Sequence, residues 1–172
     1  DNRIKEINVG PDSHSITEQT QGNWNGIVGK IELQSTPEVF FEDIQVYPDL
    51  AGKKALVRMN VRASSSAKGE IALSARSFNT NVNHEIAPVY QTVTVRKGDN
   101  PLEMELPMGQ NFLTWDEFSP ALYRLTATLK NGKQIETKQV QFGMREFTIN
   151  GKWFYVNGRK TMLRGTVENC DF

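Results

Sequence analysis

The chain holds few residues of the kinds that do chemistry, and their spacing limits what they could do. His14 and His84 are the only histidines, one near the start and one mid-chain. A zinc site needs three or four converging His, Cys or carboxylate ligands. Neither histidine has a second ligand at that spacing, so both read as surface loop residues. Cys170 is the single cysteine. An internal disulfide is thereby excluded, and with no Cys–His–Asn constellation around it Cys170 reads as a small, half-buried side chain rather than a nucleophile. Carboxylates are plentiful, and hydrolysing a glycosidic bond takes only two. Glu42-Asp43, Glu103, Glu105, Asp116-Glu117 and Glu146 sit where solvated strand faces or loops account for them, so spacing selects no pair. Glu168 stands apart, just after an apolar strand, but a lone carboxylate is not an acid/base pair. No glycine-rich phosphate loop, Ser-His-Asp set or nucleic-acid aromatic motif is present.

Three tryptophans remain. A tryptophan on a sheet either stacks on a sugar ring or packs half-buried, carrying a large apolar surface. Trp115 precedes "SPALYRL" at the edge of a strand and reads as packing. Trp24, within "QGNWNGIVG", is the better candidate for a sugar or domain-interface contact. Lys plus Arg and Asp plus Glu each number 20 of 172 residues, for a net charge of zero, and the basic residues are scattered in ones and twos rather than clustered. That balance argues against nucleic acid or an anionic membrane as partner. No apolar run approaches the ~20 residues that span a bilayer. The chain opens at Asp1-Asn2-Arg3 without a start methionine, as a processed or cut chain would.

The elements that would position these residues are strands. In "KKALVRMNVRA", Ala55, Val57, Met59, Val61 and Ala63 alternate with Leu56, Arg58, Asn60 and Arg62. The same period recurs at Ile71, Leu73 and Ala75, at Val93 and Val95, and at Leu102, Met104 and Leu106. It returns at Tyr123, Leu125, Ala127 and Leu129. Alternation puts one face of a strand on a core and the other in water, which antiparallel sheets tolerate. Turn signals separate the runs at Pro48-Asp49, Lys68-Gly69, Gly98-Asp99-Asn100-Pro101 and Asn131-Gly132. Asn-Gly suits a type I′ turn, in which both central residues take positive φ. About seven short strands predict a two-sheet sandwich over residues 36–141. "NFLTWDEF" holds one helical turn at most.

The flanks read differently. Residues 1–22 are polar and loop-like, and "IVGKIELQS" predicts one strand with Ile31 and Leu33 on one face. After the sandwich, "EFTINGKWFYVNGRKTMLRG" predicts two or three short strands. They are too few to bury their own Trp153, Phe154 and Tyr155. Those side chains either pack on the sandwich or await a partner, and both flanks read as cut from neighbouring domains.

Three stretches, in this order, resemble glycoside hydrolase family 2, the β-galactosidases, β-glucuronidases and β-mannosidases. "NWNGIVGKIEL" (Asn23 to Leu33) resembles the end of that family's N-terminal jelly roll. "WDEFSPALYRLTATL" (Trp115 to Leu129) resembles a segment late in its immunoglobulin-like sandwich. "FGMREFTINGKWFYVNGRKTMLRG" (Phe142 to Gly165) resembles the passage from sandwich to catalytic barrel. The resemblance implies a jelly-roll remnant at 1–35, an immunoglobulin-like antiparallel β-sandwich at 36–141, and hairpins with a first strand of a (β/α)₈ barrel at 142–172. Barrel sites gather at the C-terminal ends of strands, so Arg164, Glu168 and Asn169 would approach the substrate cleft. Arg164 would either organise the barrel floor or stand near substrate. The two catalytic glutamates of the family would lie beyond residue 172, leaving no catalytic residue within the chain. β-Galactosidase-type members follow the Arg-Gly with Asn and a His-rich stretch; here "RGTVENCDF" departs from that pattern, which puts galactose specificity in doubt.

The resemblance thus implies a non-catalytic scaffold within a retaining β-glycosidase. Its partners would be a carbohydrate, reached through the intact parent, and the flanking domains, with an oligomer interface as a further role. No cofactor is implied, and a periplasmic or secreted setting would suit a polysaccharide-degrading parent. The competing reading is a stand-alone carbohydrate-binding or adhesive sandwich, in which Trp24 would serve as the sugar platform.

Overall fold

A computed structural model describes Ile27 and residues 29–167. The chain divides into two units, one spanning Thr36–Leu163 and the other made of Asp1–Ser35 and Arg164–Phe172. Within the larger unit, alternation of apolar and polar residues yields seven strands: β1 (Val39–Asp49), β2 (Lys54–Ala63), β3 (Ala67–Phe78), β4 (Glu85–Val95), β5 (Gly98–Pro107), β6 (Leu122–Asn131) and β7 (Gln134–Phe142). They form two sheets of order β1-β2-β5 and β4-β3-β6-β7, with every pairing antiparallel. Three short strands, β8 (Phe147–Asn150), β9 (Trp153–Val156) and β10 (Arg159–Thr161), make a separate sheet of order β10-β9-β8.

The expected faces are the faces observed. Ala55, Val57, Met59, Val61, Ile71, Leu73, Met104, Leu106, Leu125, Ala127 and Leu129 are all buried between the sheets. Each fully buried Val, Leu, Ile or Met among them contributes about 1.5–3 kcal/mol relative to exposure. On the outer face of β1-β2-β5 the register sets Arg58 opposite Glu103 and Arg62 opposite Asp99. Arg58 bonds Glu103 at 2.8 Å, Lys54 bonds Glu105 at 2.5 Å, and Arg62 reaches Glu42 at 2.6 Å. Glu42, Glu103 and Glu105 are therefore members of an exposed ion-pair ladder.

Tyr123, at the start of β6, is fully buried and ties the loop before it to the core. The Leu113 amide donates to its hydroxyl at 2.8 Å, and His84 Nδ1 lies 2.7 Å from the same oxygen. A tyrosine bonded back to the backbone upstream of this strand is the corner typical of immunoglobulin-like sandwiches. Burial pushes the Tyr123 hydroxyl pKa up, partly offset by the Leu113 amide. His84 is consequently a half-buried partner of the core, not the free loop residue expected of it.

The two sheets are also joined at one edge. A bulge in β1 between Phe41 and Asp43 interrupts its ladder with β2. Side chains of β7 satisfy the backbone groups there: Glu136 accepts from the Phe41 amide at 2.8 Å, and Lys138 donates to the carbonyls of Phe41 and Glu42. Burial raises the Glu136 pKa, against the Phe41 hydrogen bond and the Lys138 charge. Within the strands of the two sheets, proline occurs in three of the four edge strands and in none of the interior ones, with Pro48 in β1, Pro88 in β4, and Pro101 and Pro107 in β5.

Several local expectations are corrected. Lys68-Gly69 lies inside β3, and the turn falls at Ser64–Ser66. Gly69 is required there because a Cβ would meet the Lys130 carbonyl oxygen at 2.8 Å, a close approach of the neighbouring strand. The turn before β5 falls at Arg96-Lys97, just ahead of the expected Gly98 to Pro101. Asn100 organises it, accepting from the Arg96 amide and donating to carbonyls of Arg96, Gly98 and Val61. At Asn131-Gly132 the register pairs Asn131 with Gln134, so the central residues are Gly132 and Lys133 and only Gly132 has positive φ. That is the type II′ pattern rather than type I′. The strand expected in "IVGKIELQS" does not form, and Ile31 and Leu33 are 77% and 103% exposed. Alternation alone does not make a strand; a partner edge must supply the hydrogen bonds, and no described strand does.

Candidate functional site

The residues after β7 meet the loop before β6, and the contact is built from short-range turn chemistry. The Trp115 amide donates to the Met144 carbonyl at 3.0 Å, with a bridge between Thr114 and Met144. Asp116 folds the next residues into a tight loop by accepting at Oδ1 from the amides of Phe118 and Ser119, both at 2.8 Å. Those amides hold the Asp116 carboxyl below its ordinary range. Gly143 passes so close to Trp115 that an added Cβ would stand 2.9 Å from the tryptophan Cβ. Trp115 is half-buried with Arg145 over its ring at 4.8 Å, which matches its expected packing role.

Asn157 fastens the small sheet to this loop. Val156 pairs with Arg159, so Asn157 and Gly158 are the central turn residues, with φ of 50° and 75°. This second Asn-Gly is the type I′ turn that the sequence predicts. The first is offset by one residue: Asn150 pairs with Trp153, placing Gly151 and Lys152 at the centre. In the type I′ conformation the Asn157 side chain faces the loop. It accepts from the Glu146 amide at 2.9 Å and donates to the Trp115 carbonyl at 2.9 Å, while its own amide donates to the Glu146 carbonyl. Arg159 adds a bond to Glu117 at 2.6 Å and lies over Phe118 at 5.2 Å. That guanidinium lowers the Glu117 pKa.

This arrangement positions an element; it does not activate a group. The Asp116 carboxylate is committed to backbone amides and that of Glu117 to Arg159, so both are held as anions rather than as raised-pKa acids. Among the described residues no group of three or more His, Cys, Asp or Glu could hold a metal ion. Among the described residues no helix is long and apolar enough to cross a membrane. Beyond the clamp, Val156 is buried and Phe154 stacks on Phe147 at 5.6 Å. Phe147, Ile149 and Trp153 stay 49%, 66% and 40% exposed, with Lys160 Nζ 3.2 Å from the Trp153 ring centroid. Of the two alternatives for this cluster, Phe154 and Tyr155 are partly covered, and Trp153 keeps 40% of its surface exposed.

Among the expected site residues, Arg164 is exposed in the segment Met162–Val167, which has no regular secondary structure. Trp24, Glu168, Asn169, His14 and Cys170 lie outside the described residues. Sequence reasoning missed Asn157 as a clamp. The Asn-Gly pair was visible, but its side-chain partners lie at Trp115 and Glu146, remote in sequence.

A family model described as glycosyl hydrolases family 2 matches residues 39–145, from the start of β1 to the arginine over Trp115. A β-galactosidase of Oenococcus oeni is 24% identical over 157 residues, covering 87% of this chain and 15% of that protein. A family 2 glycosyl hydrolase of Bacteroides cellulosilyticus superposes with a TM-score of 0.61 at 20% identity, over 76% of this chain and 19% of that one. A β-glucuronidase of Parabacteroides merdae does so with a TM-score of 0.55 at 28% identity, over 76% and 16%. The chain spans 15% to 16% of the length of the β-galactosidases it matches. With more than half its residues inside the family match, and a sandwich of the same fold, the chain belongs to glycosyl hydrolase family 2.

Proposed function

We propose that this chain is the non-catalytic scaffold of a retaining glycosidase that cleaves β-linked glycosides. The observation that carries the reading is the clamp at Asn157. It fixes the direction in which the chain leaves the immunoglobulin-like sandwich, within a family whose named members here are β-galactosidases and β-glucuronidases. In this reading residues 1–35 close a jelly-roll domain, residues 36–141 are the sandwich, and residues 142–172 lead into a (β/α)₈ barrel. Arg164, Glu168 and Asn169 then approach the substrate cleft, and Trp24 contacts sugar or a domain interface. Two glutamates on later barrel strands act as acid/base and nucleophile, about 5–5.5 Å apart as retention requires. The exposed Phe147, Ile149 and Trp153 find their cover in the barrel, since such a patch on a small sheet marks an interface.

The test is to read the natural coding region beyond Phe172 and assay its product with aryl β-galactoside and β-glucuronide, alongside residues 1–172 alone. The long product is expected to turn over one of them and the short chain neither. A stop codon directly after Phe172, or a long product inert on both, removes the proposal.

A further inference from the structure

The outer face of the four-stranded sheet holds a depression of about 840 Å³ that plays no part in the clamp. Its floor is a cross-strand grid. Ser74 stands opposite Thr126, Thr126 opposite Gln139, and Arg76 opposite Arg124. Like charges directly opposite on a sheet repel. Arg76 is compensated by Glu85, with Nε and Oε1 3.2 Å apart. Arg124 has no carboxylate within ion-pair distance among the described residues and lies over the Phe78 ring at 4.9 Å. The aromatic contact steadies the guanidinium without using its N–H donors. An arginine held this way presents a fork that matches a carboxylate.

The rest of the depression suits a ring bearing hydroxyls. Gln139 Nε2 donates to Thr126 Oγ1 at 3.3 Å, which leaves the Gln139 carbonyl oxygen and the Ser74 hydroxyl open among the described residues. The β3–β4 register slips between Leu73 and Ala75, so Ala87 and Pro88 fall outside the ladder and form an apolar wall with Ile86. One uncommitted guanidinium, a row of neutral donors and acceptors, and an apolar flank stand together.

We propose that this face binds the uronate unit of an acidic saccharide, with Arg124 taking the carboxylate and Ser74, Thr126 and Gln139 taking ring hydroxyls. The choice of a saccharide over other carboxylates rests on the proposed glycosidase reading; the anion site rests on the geometry alone. The experiment titrates the ¹⁵N-labelled chain with a galacturonate trisaccharide, its methyl ester, and acetate, following amides of Ser74, Arg124 and Thr126. Saturable shifts at these amides are expected with the acid, with the ester at least about tenfold weaker, the loss of one charge-assisted contact. Arg124→Ala is expected to weaken the acid by a similar factor and Arg124→Lys by less, since lysine keeps the charge and loses the fork. Gln139→Ala, remote from the charge, is expected to weaken acid and ester alike. Equal binding of acid and ester, an unchanged affinity in Arg124→Ala, or shifts confined to other surfaces would overturn the site. Acetate binding as tightly as the trisaccharide would overturn the saccharide assignment, and so would exclusion of ligand by self-association through this face. Turnover of aryl glycosides by the long product is a separate readout, so failure here and failure of the glycosidase reading are distinguishable.

Discussion

Asn157 concentrates two separable contributions in one side chain, and substitution can divide them. Its amide group makes two hydrogen bonds to main-chain atoms of Glu146 and Trp115, both at 2.9 Å, and its backbone sits at φ 50°. Asn157→Gly removes the bonds and keeps the left-handed backbone at no steric cost. At about 0.5–1.5 kcal/mol per bond, the loss is about 1–3 kcal/mol. Asn157→Ala removes the same bonds and adds about 1–2 kcal/mol for a Cβ in the left-handed region. The cost falls on the attachment of the small sheet, so native-state hydrogen exchange is the assay, read at amides of β9 and β10 with β3 and β6 as internal reference. Exchange in β9 and β10 is expected to quicken by about 5- to 150-fold in Asn157→Gly, and by about a further tenfold in Asn157→Ala. The β3 and β6 amides are expected to hold. If neither variant changes β9 and β10, the side chain does not hold the sheet; if glycine and alanine behave alike, the turn is not held at positive φ.

Tyr123→Phe leaves the half-buried Leu113 amide and His84 Nδ1 without their shared oxygen, and is expected to lower sandwich stability by about 1–3 kcal/mol in urea unfolding. Gly143→Ala forces a methyl against Trp115 and is expected to cost about 1–3 kcal/mol, with a change in Trp115 fluorescence. Asp116 and Glu117 carry folded pKa values below their unfolded ones, so their stabilisation is present above the unfolded values and is lost as pH falls through the folded ones. The small sheet is therefore expected to loosen, by hydrogen exchange, below the ordinary carboxylate range and before the sandwich unfolds. Glu136 has the opposite sign: burial raises its folded pKa, so its contribution is greatest below the unfolded value and is lost as pH rises through the folded one. Glu136→Gln is expected to flatten that part of the stability profile measured by urea melts between pH 3 and 7.

The sandwich was legible because its strands are half-buried, and period-two alternation reports half-burial directly. Tyr123, Leu125, Ala127 and Leu129 needed no partner to be read as one face. What could not be read depends on which strands become neighbours. Gly69 looks like a turn residue until the Lys130 carbonyl is known to press on it. His84 looks like a loop residue until β6 brings Tyr123 beneath it. Ile31 and Leu33 alternate as a strand would, yet the hydrogen-bonding edge they need is not among the described residues. The Arg76–Arg124 pair spans strands far apart in sequence, so no local pattern announces it. The clamp was half legible: two Asn-Gly pairs marked two hairpins, but only the register distinguishes the type II′ turn at Gly151 from the type I′ turn at Asn157, and only the latter aims a side chain at the sandwich.

The placement of proline governs how this domain meets other polypeptides. β2, β3 and β6, interior to their sheets, contain none, while β1, β4 and β5 each present an edge broken by at least one residue with no amide to donate. The fourth edge, β7, has no proline but spends Glu136 and Lys138 on stitching itself to β1. An extended segment of another chain aligning along β1, β4 or β5 would find the ladder interrupted, and along β7 it would meet the border that the Glu136 and Lys138 side chains tie to β1, devices by which sheet proteins resist recruitment into aggregates. Contacts with neighbours are thereby channelled toward side-chain surfaces such as the open face of β4-β3-β6-β7, where fit and charge choose the partner.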